Sequence, residues 1–230
     1  MKLILFSFFL FSAKINTVYS QATKSDPRDG EGWYSISLKL DFPKKWEMNL
    51  NYETRYYNNL KTYYGSYISI EGSNNLNKKI KTNAEYRISF LTAGVTHRYT
   101  LGMEVMAMKS KKIELNGRFL IQNRIQDSYN PLEENQKSLF WRLRGQVKFQ
   151  LNKKVDIYTS VEPIMEIGAN RFVDNWRNVL GTKLKLSDKT KLDVSYVYRP
   201  DFGKNSYIRY YDILCLNICQ NIKINSKTKK

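Results

Sequence analysis

The chain has 230 residues, with 38 Lys and Arg against 21 Asp and Glu, a formal charge of +17, one histidine and two cysteines. A lone histidine cannot assemble an ordinary zinc set, and Cys215 and Cys219, in one extended stretch, sit ~13 Å apart, too far for a mutual disulfide. Neither a metal nor a cofactor is therefore expected.

The N-terminus reads MKLILFSFFLFSAKINTVYSQA. Lys2 supplies a charged start, Leu3 to Ala13 an apolar run and Val18-Tyr19-Ser20 a small-residue cleavage pattern, so residues 1–20 are expected to be a signal peptide. The apolar run is short of the ~20 residues that a membrane-spanning helix needs. Cleavage removes Lys2 and Lys14 and leaves a charge of +15. Secretion takes the chain away from nucleic acid, and its lysines are scattered or gathered at turns; an anionic membrane surface is the better match for the charge. Residues 21–32, QATKSDPRDGEG, lack apolar content and read as a flexible leader.

From Trp33 onward the pattern has a period of two. In residues 46–57, Trp46, Met48, Leu50, Tyr52, Thr54 and Tyr56 alternate with Glu47, Asn49, Asn51, Glu53 and Arg55. Residues 80–90 set Lys81, Asn83, Glu85 and Arg87 on one face. Residues 112–124 do the same with Glu114, Asn116, Arg118, Gln122 and Arg124. In SLFWRLRGQVKFQ (138–150), Leu139, Trp141, Leu143, Val147 and Phe149 oppose Arg142, Arg144, Gln146 and Lys148. Residues 191–199 continue with Asp193, Ser195 and Arg199 against Leu192, Val194, Tyr196 and Tyr198. Strict alternation of this kind is the mark of a two-faced β-strand. No helical period competes with it.

Short basic turns recur at FPKKW, LNKKI, KSKKI, LNKKV and LSDKTK, alternating with breaks that are mostly longer: YNNLKTYY, LTAG, QDSYNPLEENQKS, GANRFVDN and RPDFGKNSY. Tight turns at one end and longer loops at the other are the layout of an antiparallel up-and-down transmembrane β-barrel. Eleven strands result, at 33–42, 45–57, 64–76, 79–90, 95–109, 112–126, 138–150, 154–167, 173–186, 190–199 and 207–224. Several exceed the ~9–11 residues that cross a bilayer at a tilt, longer than the ~5–6 usual in soluble sheets. Since single-chain bacterial barrels have even strand numbers, twelve are expected, with ten as the alternative. The barrel spans 33–224, followed by a basic tail at 225–230.

In the membrane reading the charged faces turn inward. Glu53, Arg55, Glu85, Arg87, Arg118, Gln122, Arg124, Arg142, Arg144, Glu162, Arg177 and Arg199 are expected to line the lumen, where opposite charges can pair into ladders across it. Trp33, Trp46, Tyr56, Trp141, Trp176 and Tyr198 are expected to form the aromatic girdles facing lipid. Two alternatives stand beside this. A soluble periplasmic ligand-binding barrel would turn its apolar faces inward. A lipid-modifying hydrolase would use His97 as a base, although His97 is followed by Arg98 and Tyr99 and no serine lies two positions on.

These residues carry a resemblance. The Trp33 strand, Glu53-x-Arg55, Glu85-Tyr86-Arg87, His97-Arg98, Arg118, Gln122-x-Arg124, Arg142-x-Arg144, Glu162-Pro163, Arg177 and Leu180-Gly181 follow in order along residues 33–220. Together they resemble the outer-membrane barrels of Gram-negative bacteria grouped as domain of unknown function 2490. The resemblance implies a fold and an outer-membrane location, with membrane lipid, lipopolysaccharide and the barrel-assembly machinery as partners, and no settled activity. Many such barrels finish on an aromatic residue recognised during assembly; this chain finishes IKINSKTKK, where Ile224 stands in that role. The mature protein is expected to begin at Gln21, which the intact mass of the membrane-extracted protein checks; a mass that retains residues 1–20 would contradict the expectation.

Overall fold

The computed structural model describes residues 28–129, 136–168, 173–202 and 208–224. The expected signal peptide, the first part of the leader, the C-terminal tail, Tyr207 and much of the 127–138 loop fall outside them. Among the described residues the chain forms eleven strands and one short 3-10 turn. In chain order these are β1 Arg28–Asp41, β2 Trp46–Tyr57, β3 Thr62–Asn75, β4 Ile80–Leu91, β5 Gly94–Lys109, β6 Ile113–Ser128, β7 Gln136–Gln150, β8 Val155–Glu166, β9 Asn175–Lys185, β10 Thr190–Asp201 and β11 Arg209–Lys223. Each pairs antiparallel with the next, and β1 closes the barrel against β11 in parallel, from Arg28↔Tyr210 to Asp41↔Lys223.

The count of eleven replaces the expected twelve. The even-number rule rests on both chain ends lying at one side of the membrane. In this barrel β1 starts at the long-loop end and β11 finishes at the tight-turn end, and a parallel pair completes the ring.

Strand β1 also begins earlier than its composition suggests. Asp29 accepts hydrogen bonds from the backbone N–H of Asn58 (3.1 Å) and Asn59 (3.0 Å), and the Gly30 carbonyl accepts one from Leu60. The β2–β3 turn can offer these groups because Asn58, Asn59 and Leu60 all adopt left-handed backbone, with φ of 55°, 53° and 68°. A stretch that looks like a polar leader is thereby fixed as strand.

Four of the five basic turns share one local device, and the fifth, at 42–46, is a 3-10 turn without a side-chain cap. Asn77 Oδ1 accepts from the N–H of Lys79 (2.7 Å) and Ile80 (2.8 Å), and Asn152 Oδ1 accepts from Lys154 (2.8 Å). Ser110 Oγ and Ser187 Oγ take the matching bonds from Ile113 and Thr190, each at 3.0 Å. A short polar side chain caps its own turn, which explains the repeated Asn or Ser before Lys. The lysines that follow are left at the barrel rim.

Two faces separate along every strand. Ile36 (64% exposed), Leu101 (65%), Leu180 (53%) and Leu143 (46%) point outward, whereas Arg142, Glu162 and Gln122 are buried inside. A soluble barrel with an apolar interior is the inverse of this arrangement, so that alternative is overturned. Luminal glycines let large side chains lie flat against the wall: a Cβ at Gly181 would meet the Tyr158 ring at 2.4 Å, and one at Gly102 would meet Leu120 at 2.1 Å. Leu143→Arg should lower folded stability in lipid vesicles by ~2–4 kcal/mol, and Gln146→Arg by clearly less. Denaturant unfolding of the two variants checks this, and the reverse order would mean that the faces are exchanged.

Candidate functional site: an arginine-rich lumen

All twelve residues expected in the lumen lie on the inward face, and most are joined by polar contacts. Glu162 is the centre of one group. Its Oε1 accepts from Arg118 Nη2 and its Oε2 from Arg142 Nη2, both at 2.9 Å, while Arg142 Nη1 donates to Gln122 Oε1 at 2.9 Å. Glu53 forms a second centre, with Arg55 Nε at 2.7 Å and Arg87 Nη1 at 3.8 Å. Glu85 meets Arg87 at 3.6 Å and accepts a short hydrogen bond from Arg98. Arg144 reaches Glu104 at 3.6 Å, and Arg199 donates to Glu31 at 3.0 Å.

These pairs do not cross the lumen as expected. Every ion pair among the described residues stays within one strand or its flanking turn, or joins strands adjacent or two apart: Arg118 on β6 with Glu162 on β8, Arg87 on β4 with Glu53 on β2, Arg144 on β7 with Glu104 on β5. The wall of a small barrel is strongly curved, so side chains of next-nearest strands converge on its concave side before they can meet those opposite. The ladders therefore line the wall.

The two halves of the lumen differ. Toward the tight turns the cations are lysines: Glu47 is shared by Lys39 (3.0 Å) and Lys81 (2.5 Å), and Glu114 binds Lys148 at 3.1 Å. Toward the long loops they are arginines backed by aromatic rings. Arg55 lies between Trp33 (3.7 Å to the ring centre) and Tyr67 (4.2 Å), Arg199 covers Tyr211 (4.1 Å), and Arg124 covers Phe140 (4.9 Å). A planar guanidinium stacks on an aromatic face and leaves its N–H edge free for other partners. A polar cavity of about 740 Å³ occupies this half, lined by eight arginines and four carboxylates among the described residues. At its edge, burial pushes the Asp174 carboxyl above its ordinary value, with the like charges of Asp201 and Glu166 adding to the effect.

Trp33 corrects the girdle expectation. It is only 9% exposed, packs with Val197 and Ile213 inside the barrel, and donates from Nε1 to Glu31 at 2.8 Å. Trp46 and Trp141 do face outward, at 55% and 47% exposure. Tyr56 joins an edge-to-face row with Tyr34 and Tyr63, and Tyr198 stacks on Tyr210. Trp176 stands on the outward parity of β9 beside Pro163. A register shift at Arg55/Tyr56 turns Tyr64 into the cavity mouth, against Tyr57.

Sequence reasoning left Arg98 and Glu31 out of the luminal set. The signal for Arg98 was present in the alternation Thr96, Arg98, Thr100, Gly102, Glu104. Glu31 was hidden in the supposed leader. His97 lies on the opposite parity, outward, with Tyr86 Oη 2.9 Å from Nδ1 and Asp127 3.6 Å from Nε2. This set ties β4, β5 and β6 together, and among the described residues the imidazole's side-chain partners are this phenol and this carboxylate.

A closed barrel with a charged interior and an apolar exterior is a transmembrane β-barrel of porin-like fold. The chain belongs to the family described as protein of unknown function DUF2490, which matches residues 30–207. A solved structure described as a NanC porin in a rhombohedral crystal form is similar in fold, with a TM-score of 0.50 and 11% identity over 74% of this chain and 86% of that chain. No curated protein sequence matches the chain.

Glu162→Gln strips the counter-charge from both Arg118 and Arg142 and should destabilise the barrel by ~3–5 kcal/mol. Glu104→Gln, at a longer contact and a more exposed carboxylate, should cost less. Guanidinium unfolding in detergent micelles compares them, and equal midpoints would show that the central pair has no special weight.

Proposed function

We propose that this protein is a non-enzymatic outer-membrane barrel of a Gram-negative cell that forms a narrow, arginine-lined passage, restricting general solutes and favouring small anions. The observation that carries this reading is the excess of arginine over carboxylate around the loop-end cavity, in a lumen whose other half is occupied by Lys–Glu pairs. Rings of fixed positive charge lower the barrier for anions and raise it for cations. The porin-like fold and the family membership support a membrane barrel, and the sequence pattern of residues 1–20 supports export to the outer membrane.

The width argues against a general porin. Open aqueous channels belong to barrels of ~16–18 strands, whereas eleven strands enclose a narrower lumen, here with a loop-end cavity of about 740 Å³. A hydrolase built on His97 gains no support from its neighbours, because a phenol and a carboxylate supply no acyl-accepting alkoxide.

In planar bilayers the purified barrel should show small unit currents with an anion-preferring reversal potential in a KCl gradient. Arg144→Glu should move that potential toward the cation side. A large, weakly selective conductance would overturn the proposal.

A further inference from the structure

We propose that the loop-end cavity is a binding site for a small oxyanion, the carboxylate or phosphate group of a solute, with Arg177 as its principal ligand. The site rests on the proposed narrow, anion-favouring passage and deepens it.

The luminal arginines outnumber the carboxylates that they can reach. Arg177 is the register partner of Glu162 across β8 and β9. Both oxygens of Glu162 are already taken, one by Arg118 and one by Arg142. Glu53 is engaged by Arg55 and Arg87. Glu31 is likewise filled, with Arg199 on Oε1 and the Trp33 indole on Oε2. Arg177 is left with no carboxylate within ion-pairing distance among the described residues, and its buried Nε has no hydrogen-bond acceptor. Its guanidinium carbon lies 5.8 Å from the centre of the Trp33 ring.

A buried, uncompensated guanidinium is costly, so a site that leaves one facing a cavity favours whatever anion can enter. The cavity supplies room and reinforcement. Arg55, Arg177 and Arg199 all line it and all lie within 6 Å of Trp33, at 3.7, 5.8 and 5.9 Å from the ring centre. Stacking holds Arg55 against Trp33 and Tyr67, and Arg199 against Tyr211, before any ligand arrives. A fork of fixed N–H donors matches two oxygens of one carboxylate or phosphate better than it matches a spherical halide. A volume of about 740 Å³ accommodates a solute attached to that group.

Trp33 provides the reporter. With Trp46, Trp141 and Trp176 changed to Phe, the barrel folded in detergent micelles carries one indole, directly behind the three arginines. Titration with sodium acetate, and separately with inorganic phosphate, should change its fluorescence saturably. Sodium chloride at matched ionic strength should not. Arg177→Gln should weaken the response at least tenfold, and Arg177→Lys should restore only part of it, since it returns charge without the fork. An Arg177→Gln curve that overlays the parent, or chloride reproducing the acetate curve, would overturn the site. The native chain gives an arm that needs no variant: acetate or phosphate should raise its thermal unfolding midpoint above that in chloride at equal ionic strength, and equal midpoints would count against the proposal. Failure of these titrations in a barrel that still shows small anion-preferring currents removes the site alone, whereas a large unselective conductance removes the narrow-passage reading beneath it.

Discussion

A carboxylate that holds two cations, one of them from a strand two away, is the interaction from which the interior of this barrel is built. Glu162 draws Arg118 from β6 and Arg142 from β7 onto β8. Glu53 repeats the arrangement between β2 and β4, and Glu47 repeats it with lysines nearer the tight turns. With lipid on the outer face, no solvent shell is available to charges that point outward, so the charges turn inward, where the wall itself answers most of them. The curvature of a small barrel makes this possible, because inward side chains from second-neighbour strands converge. The same clips help fix register along strands of eleven to sixteen residues.

The choice of cation follows from what lies beside it. Near the tight turns lysines meet Glu47 and Glu114 as point charges on flexible stems. Near the loops, Trp33, Tyr67, Phe140 and Tyr211 offer flat faces, and arginine alone can stack on a face while donating from its edge. The lumen therefore changes from a paired region into a cavity with surplus donors. That asymmetry joins the fold to the proposed preference for anions.

Most of the fold was legible because one strong signal, alternation at period two, recurs in nearly every strand. Predicted and observed strands agree to within about three residues at most ends, and the facing of Arg118, Arg142 and Glu162 follows directly from parity. The failures have physical causes. Arg28 to Gly32 resemble a loop by composition and become strand through bonds to a turn 29 or 30 residues away and through pairing with β11. Trp33 was assigned to a girdle because tryptophan usually marks an interface; three arginines supply it with a cationic surround inside the barrel. The expected even strand number came from a rule about chain ends, and nothing local in the sequence encodes a parallel closure. Ladders spanning the lumen were expected because charges were counted by face, without the curvature that decides which of them meet.

The central claim is that the arginine-bearing face is luminal and the Leu/Trp face meets lipid. Nitroxide labels placed singly at positions 139 to 149 of β7, in barrels reconstituted into vesicles, test it most directly through their accessibility to lipid-soluble oxygen and to a water-soluble nickel chelate. The account predicts a period of two with oxygen accessibility peaking at positions 139, 141, 143, 147 and 149 and falling at 140, 142 and 144. The opposite phase, or no alternation at all, would contradict it.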